Sequence, residues 1–335
     1  MSKPIYVTKS FMPPLEEYNK YIAGIFERGI LTNQGPYVQE LQQKLSGFLG
    51  VDNFHYVTNG TIALQLALSA MGIDGGEIIT TPFSYVATTS SILWQRCTPV
   101  FVDIEPNNFT IDADKIEQIA KKHKLKVIYD GAHAFGSKYK GKSLLSYGDV
   151  STCSFHATKL FHTIEGGACI VRDKDVSDRL EMQKRFGHEG DNHKMLGINA
   201  KQSEFHAAMG LANFPYIAKI IADRKRVSDK YDELLNGCLG RPKSQVNLDY
   251  NYAYYPVVFN SEQELTRVFS ALNEQNIFPR RYFYPSLNQL PYVQGQKCPI
   301  SEDISSRIAC LPLYVGLKAN EIKKICDTII RARTK

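Results

Sequence analysis

Residues 54–71 constrain the fold more than any other stretch of the chain. Phe54-His55-Tyr56-Val57 has strand composition. After Thr58-Asn59-Gly60-Thr61, residues 62–71 are apolar nearly all round. A helix without a polar face must be buried between layers, so a strand leading into one implies a sheet covered by helices. Short apolar strands and helices then alternate. Strands are expected at 78–81, 99–103, 126–130, 151–155 and 168–171, with helices over 85–94 and 112–123. That order predicts an α/β fold with a mostly parallel sheet flanked by helices.

Upstream, residues 16–28 read as a helix. Residues 37–49 repeat Val38, Leu41, Leu45, Phe48 and Leu49 at helical spacing before Gly50 stops them. Downstream, a basic helix-rich stretch over 202–235 leads to a change of composition near 237–244. Residues 252–259 then read as a strand, and 262–275 and 320–333 as helices. Two domains are expected: a large α/β domain over 1–236 and a smaller C-terminal α+β domain over 237–335. A chain of 335 residues with 43% apolar content can bury both cores.

Composition excludes several classes of function. The 40 basic and 34 acidic side chains leave +6, spread without the dense Lys/Arg tract of a nucleic-acid arm. No stretch approaches the ~18 apolar residues of a membrane span, and the first residues lack the apolar core of an export signal. Seven scattered cysteines include no CxxC pair, which fits a reduced, cytoplasmic setting. No GxGxxG follows the first strand, which argues against a dinucleotide-binding oxidoreductase.

Three places carry chemistry. At the strand-turn-helix junction, Gly60 and Thr61 would aim free N–H groups and a helix dipole at an anion; taken alone, a Gly at such a junction is more often only a tight turn. Asp130 ends an apolar strand at the carboxyl edge where open α/β sheets bind ligands, and a carboxylate there can keep a heteroaromatic nitrogen protonated; a capping Asp is the plainer reading. Lys159, in Ser154-Phe155-His156-Ala157-Thr158-Lys159 ahead of Gly166-Gly167, becomes a carbonyl nucleophile if burial lowers its pKa; any isolated Lys is otherwise a solvated one. Cradle, carboxylate and amine follow one another in the order expected of one site.

The segments TNGTIALQLAL, TTPFSYVATTSS, VFVDIEP, VIYDGAHAFG, STCSFHATKLFHTIEGG, MLGINAKQSEFHAAMG and CLPLY together resemble the DegT/DnrJ/EryC1/StrS family of sugar aminotransferases. The resemblance runs through nearly the whole chain. It implies the fold-type-I architecture of pyridoxal 5′-phosphate (PLP) enzymes, a homodimer with shared active sites, and transfer of an amino group, usually from L-glutamate, to a nucleotide-linked keto sugar. By motif, Lys159 matches the lysine that joins the cofactor through a Schiff base and later moves the proton. Asp130 matches the partner of the ring nitrogen, and His133 the neighbour of the phenolic oxygen. Gly60, Thr61 and Ser154 match phosphate-binding positions, Tyr85 the ring-stacking aromatic, and Asn199 the residue reaching the phosphate from the other subunit. Both ends of the chain look most like enzymes that aminate dTDP-4-keto-6-deoxyglucose for bacterial O-antigen lipopolysaccharide; a 3-keto sugar is the alternative. Arg280 and Arg281, in FPRRYFYP, could meet the diphosphate or form a solvated basic turn. The family's dehydratases carry histidine in place of the lysine, so Lys159 argues against that activity.

The chain departs from the resemblance at one point. Between VFVDIEPNNFTIDADKIEQ and IAKKHKLKVIYDGAH the family carries a further strand, which normally lies centrally beside the aspartate strand. Here one helix over 112–123 joins the strands on either side. It is long enough for a right-handed crossover, but loss of the strand is expected to open a gap in the core or force repacking. A PLP-binding relative with impaired catalysis is therefore also an expected outcome.

Overall fold

The computed structural model describes residues 3–334; Met1, Ser2 and Lys335, the outermost residues of the two expected domains, lie outside the described residues. The principal sheet has four strands, in the order Phe54–Val57, Gly167–Val171, Val150–Ser154 and Ile128–Asp130. The Ile128–Asp130 and Val150–Ser154 strands pair in parallel, and Gly167–Val171 pairs antiparallel with both of its neighbours. Three of the four strands therefore run one way, and their carboxyl ends gather Ser154 and Asp130 at one edge.

The all-apolar helix forms as Gly60–Ala70, with Asn59 capping it by accepting the Ile62 N–H at 2.9 Å. Ala63, Leu66, Ala67 and Ala70 pack on Val57, Val150, Cys169 and Val171 on one face of the sheet. On the other face, Val38, Leu41, Leu45 and Leu49 of the Pro36–Leu49 helix meet Tyr56, Phe155 and Phe161. Each such Leu, fully buried, stabilises the fold by about 1.5–3 kcal/mol. Both faces are thus closed, which fixes the strand ends that carry the polar residues.

The sheet is divided. Glu77–Thr80 and Thr98–Phe101 pair in parallel with each other and form a separate two-stranded sheet, while Ile128–Asp130 ends the four-stranded one. The helix between them, Ala113–His123, buries none of its residues. Ile119 is 43% exposed, Leu125 45% and Ile79 46%. The expected crossover within one sheet is therefore corrected: this helix connects two sheets. A crossover helix buries its apolar stripe only when the strands beneath it are continuous. Where the chain runs directly from one strand to the next, that floor is missing and two strand edges stay open.

In the second lobe, Tyr255–Val258 pairs antiparallel with Ile308–Leu311. The Glu262–Glu274 and Ala319–Arg333 helices cover it with Leu265, Val268, Leu272, Ile322, Ile325 and Ile329. The Ile217–Leu235 helix spans both cores: Ile217 and Ile220 pack with the first, and Val227, Tyr231 and Leu235 with the second. Ile5–Tyr6 pairs in parallel with Ile277–Phe278, so the start of the chain packs on the second lobe. Among the described residues, no helix is long and apolar enough to cross a membrane, and no His/Cys/Asp/Glu group could hold a metal ion. All seven cysteines are unpaired.

Candidate active site

Past Ser154 the chain turns back into the neighbouring strand. Phe155 donates its N–H to the Gly166 carbonyl at 2.7 Å, and Thr163 donates to the Phe155 carbonyl at 2.9 Å. A side chain at Gly167 would collide with the Asn59 carbonyl. This tight return suspends Lys159 over the sheet's carboxyl edge. Its Nζ lies 2.7 Å from Nε2 of His133. Burial holds the Lys159 pKa below the ordinary lysine value, with Asp130 pulling the other way. Burial, aided by the charge on Lys159, pushes His133 down to about 3, so the imidazole is neutral at physiological pH.

Asp130 stands at the end of its strand, with both carboxylate oxygens engaged. Oδ1 accepts the Ala132 N–H at 3.2 Å, and Oδ2 accepts the Thr88 hydroxyl at 2.6 Å. Thr88 in turn lies 2.9 Å from the Ser84 hydroxyl. One turn before Thr88, Tyr85 precedes the Val86–Trp94 helix and is 57% exposed.

At the start of the Gly60–Ala70 helix, the N–H groups of Gly60 and Thr61 have no acceptor among the described residues. A Cβ at Gly60 would come within 3.0 Å of the Ser154 Cβ and 3.4 Å of its hydroxyl. Glycine therefore keeps open a cradle with two free donors and a hydroxyl at the positive end of a helix dipole.

Asn199 is exposed, and its Oδ1 accepts Lys201 Nζ at 2.8 Å; no hydrogen bond joins it to the residues above. Arg281 is committed within the second lobe, donating to Glu262 at 2.7 Å and to the Ser306 carbonyl at 2.6 Å while lying over the Tyr284 ring. Both of these bonds come from Nη2, and Nε is buried without a hydrogen-bond partner among the described residues. Arg280 is exposed beside Tyr282.

Residues that the motifs did not mark complete the arrangement. The Tyr254 hydroxyl sits 3.3 Å from His133 Nε2, with the two rings edge-on. Buried Asn251 donates to the carbonyls of His133 and Phe135 at 2.8 and 2.7 Å. Arg224, buried on the helix that spans both cores, donates to the carbonyls of Tyr252 and Ala253 and so fixes the loop carrying Tyr254. Only the density of aromatics over 250–255 hinted at this loop in the sequence.

The profile of the DegT/DnrJ/EryC1/StrS aminotransferase family matches residues 15–119 and 112–330. The chain belongs to this family. The two matched stretches overlap over 112–119, within the connection where the sheet divides. The chain is 37% identical to the dTDP-4-amino-4,6-dideoxy-D-glucose transaminase of Shigella dysenteriae over 366 aligned positions, covering 98% of this chain and 99% of that protein. It is 36% identical to the enzyme of the same name from Escherichia coli, covering 98% of each. Among solved structures, DesI in the presence of its TDP-sugar product superposes with a TM-score of 0.93 at 26% identity, covering 99% of this chain and 94% of that one. A chain of 335 residues cannot fill 366 positions, so at least 31 positions of the alignment lack a residue here.

The protein is thus a PLP-dependent sugar aminotransferase of the fold-type-I class. The residues present fit that cofactor: two unpaired N–H groups and a hydroxyl for its phosphate, a strand-end carboxylate for its ring nitrogen, and a half-buried amine for its aldehyde.

Proposed function

We propose that this family member moves the amino group of L-glutamate onto dTDP-4-keto-6-deoxyglucose, supplying an amino sugar for O-antigen lipopolysaccharide in the cytoplasm. Two transaminases named for the 4-amino product, at 36–37% identity and nearly full coverage, support the sugar and the position aminated. The observation that carries the chemistry is the pairing of Lys159 Nζ with a neutral His133 at 2.7 Å beside Asp130.

When bound, PLP supplies an aldehyde that captures amines and a ring that accepts the electron pair left by a departing proton. Gly60, Thr61 and Ser154 would hold its phosphate, Asp130 would hold the proton on its ring nitrogen, and Tyr85 would cover one ring face. Lys159 is the catalytic residue. Its Nζ, whose pKa burial lowers, takes the proton from the donor's α-carbon and returns it in the second half-reaction. His133, neutral and fixed by Asn251 through its carbonyl, steers the amine without competing for the proton. Exposed Arg280 and its neighbour Arg281 are the cations proposed to meet the diphosphate.

The test follows the visible absorbance of the protein after loading with PLP. L-Glutamate should bleach it, and dTDP-4-keto-6-deoxyglucose should restore it with formation of the 4-amino sugar, identified by mass and proton NMR. No bleaching under saturating glutamate sinks the donor assignment. Restoration by a 3-keto sugar alone sinks the 4-keto assignment.

The assembly proposed is a homodimer sharing its sites. Leu196 is 89% exposed, Phe26 74%, Leu31 55% and Phe186 50%, side chains that a second copy would cover, and Asn199 lies on the same segment as Leu196. Sedimentation should give a mass of two chains. Leu196→Asp should yield monomers with weakened PLP binding, because Asn199 then has no second site to complete. A monomeric parent chain with full PLP affinity would refute this assembly.

A further inference from the structure

We infer that Thr88 is a positioning residue for Asp130, tethering the carboxylate across the divided sheet. The inference rests on the assignment of Asp130 to the cofactor's ring nitrogen. Asp130 lies on the last strand of the four-stranded sheet, with no further strand paired beyond it among the described residues. Its side chain is exposed, and its own backbone contributes one long contact, the 3.2 Å bond from Ala132.

The short contact comes from the other side of the division. Thr88 belongs to the Val86–Trp94 helix, which connects the two strands of the separate sheet. Its hydroxyl reaches Asp130 Oδ2 at 2.6 Å over a separation of 42 residues. A hydroxyl has one proton, and Thr88 gives it to Asp130, so the bond with Ser84 is donated by Ser84. The result is a directed chain from Ser84 through Thr88 to Asp130, in which each bond polarises the next.

Geometry limits what else could do this. The carboxylate has two oxygens, and a bond to each fixes the plane of the group as well as its position at the strand end. Remove the Thr88 bond and the Ala132 contact alone remains, about which the carboxylate can swing toward solvent. A hydrogen bond to a charged acceptor is among the stronger ones, so its loss should be measurable as cofactor affinity. Both oxygens keep a free lone pair, so the tether does not compete with the ring nitrogen.

The experiment compares wild type, Thr88→Val, Thr88→Ser and Ser84→Ala by PLP titration, by circular dichroism of the bound cofactor's visible band and by melting of the cofactor-free chains. Thr88→Val keeps shape and removes the donor. It should weaken PLP binding by about 10-fold or more, the scale of one hydrogen bond to a charged group, and diminish the visible dichroism. Thr88→Ser should stay within about 2-fold of wild type, because it restores the donor. Ser84→Ala should fall between the two. The cofactor-free melting temperatures should coincide. Wild-type affinity in Thr88→Val overturns the inference. So does a loss that Thr88→Ser fails to rescue and that accompanies a lower melting temperature, since Thr88 would then serve the fold. If wild type itself binds no PLP, the assignment of Asp130 fails first and this inference falls with it, an outcome separate from the other two.

Discussion

Lys159→Ala is expected to remove the visible absorbance of the PLP-loaded protein and to lower transamination by at least about 10⁴-fold. The magnitude combines two losses. General acid–base catalysis contributes about 10²–10⁴ by itself, and the covalent attachment that activates the aldehyde is lost with the same side chain. Lys159→Arg should be equally inactive, because a guanidinium keeps its charge at any accessible pH and cannot take the α-proton. His133 does not offer a substitute: burial has already pushed its pKa to about 3, too weak a base for the step. For the same reason the pH–rate profile between pH 5 and 9 should carry no limb from His133. Borohydride reduction of the loaded wild type, followed by peptide mass mapping, should place the cofactor's mass on Lys159 and nowhere else. More than 1% residual transamination in Lys159→Ala, or cofactor mass on another lysine, would falsify the assignment.

Much of this architecture was legible in the sequence because its determinants are local. The strand expected at 54–57 forms at Phe54–Val57, and the helix expected at 62–71 forms at Gly60–Ala70, moved upstream by the Asn59 cap. Lys159 and His133 were marked separately by motif; their 2.7 Å approach depends on the tight return at Gly166-Gly167, which spacing alone does not reveal. What stayed hidden was set by distance along the chain. Tyr254 reaches His133 across 121 residues, and Thr88 reaches Asp130 across 42. The pairing of Ile5–Tyr6 with Ile277–Phe278 spans 272 residues through strands too short for any periodicity. The surroundings of Arg281 were hidden for a different reason: a basic side chain beside aromatics looks the same whether it faces solvent or Glu262.

The division of the sheet leads to the second large effect. Grafting into 112–125 a strand segment of the kind the family resemblance places there should raise the melting temperature by about 5 °C or more. A strand laid between Ile128–Asp130 and Glu77–Thr80 would satisfy two open backbone edges. It would also floor the Ala113–His123 helix, so that Ile119, Leu125 and Ile79 leave water. Each large apolar side chain buried is worth about 1.5–3 kcal/mol, and in large domains 1 kcal/mol shifts melting by roughly 2–4 °C. The cost of the longer connection is small, since doubling a loop adds only about 0.6 kcal/mol. A scrambled insert of equal length is the control and should leave the melting temperature unchanged or lower. Amide exchange should slow at Ile78, Ile79 and Thr80 in the graft, where the edge becomes paired. The graft also bears on the site. Once a strand flanks Asp130, its carboxylate no longer depends on the tether from Thr88, and Thr88→Val should weaken PLP binding less in the grafted chain than in the parent. An unchanged melting temperature with unchanged exchange at Ile78–Thr80 would mean that the two sheets are already settled apart.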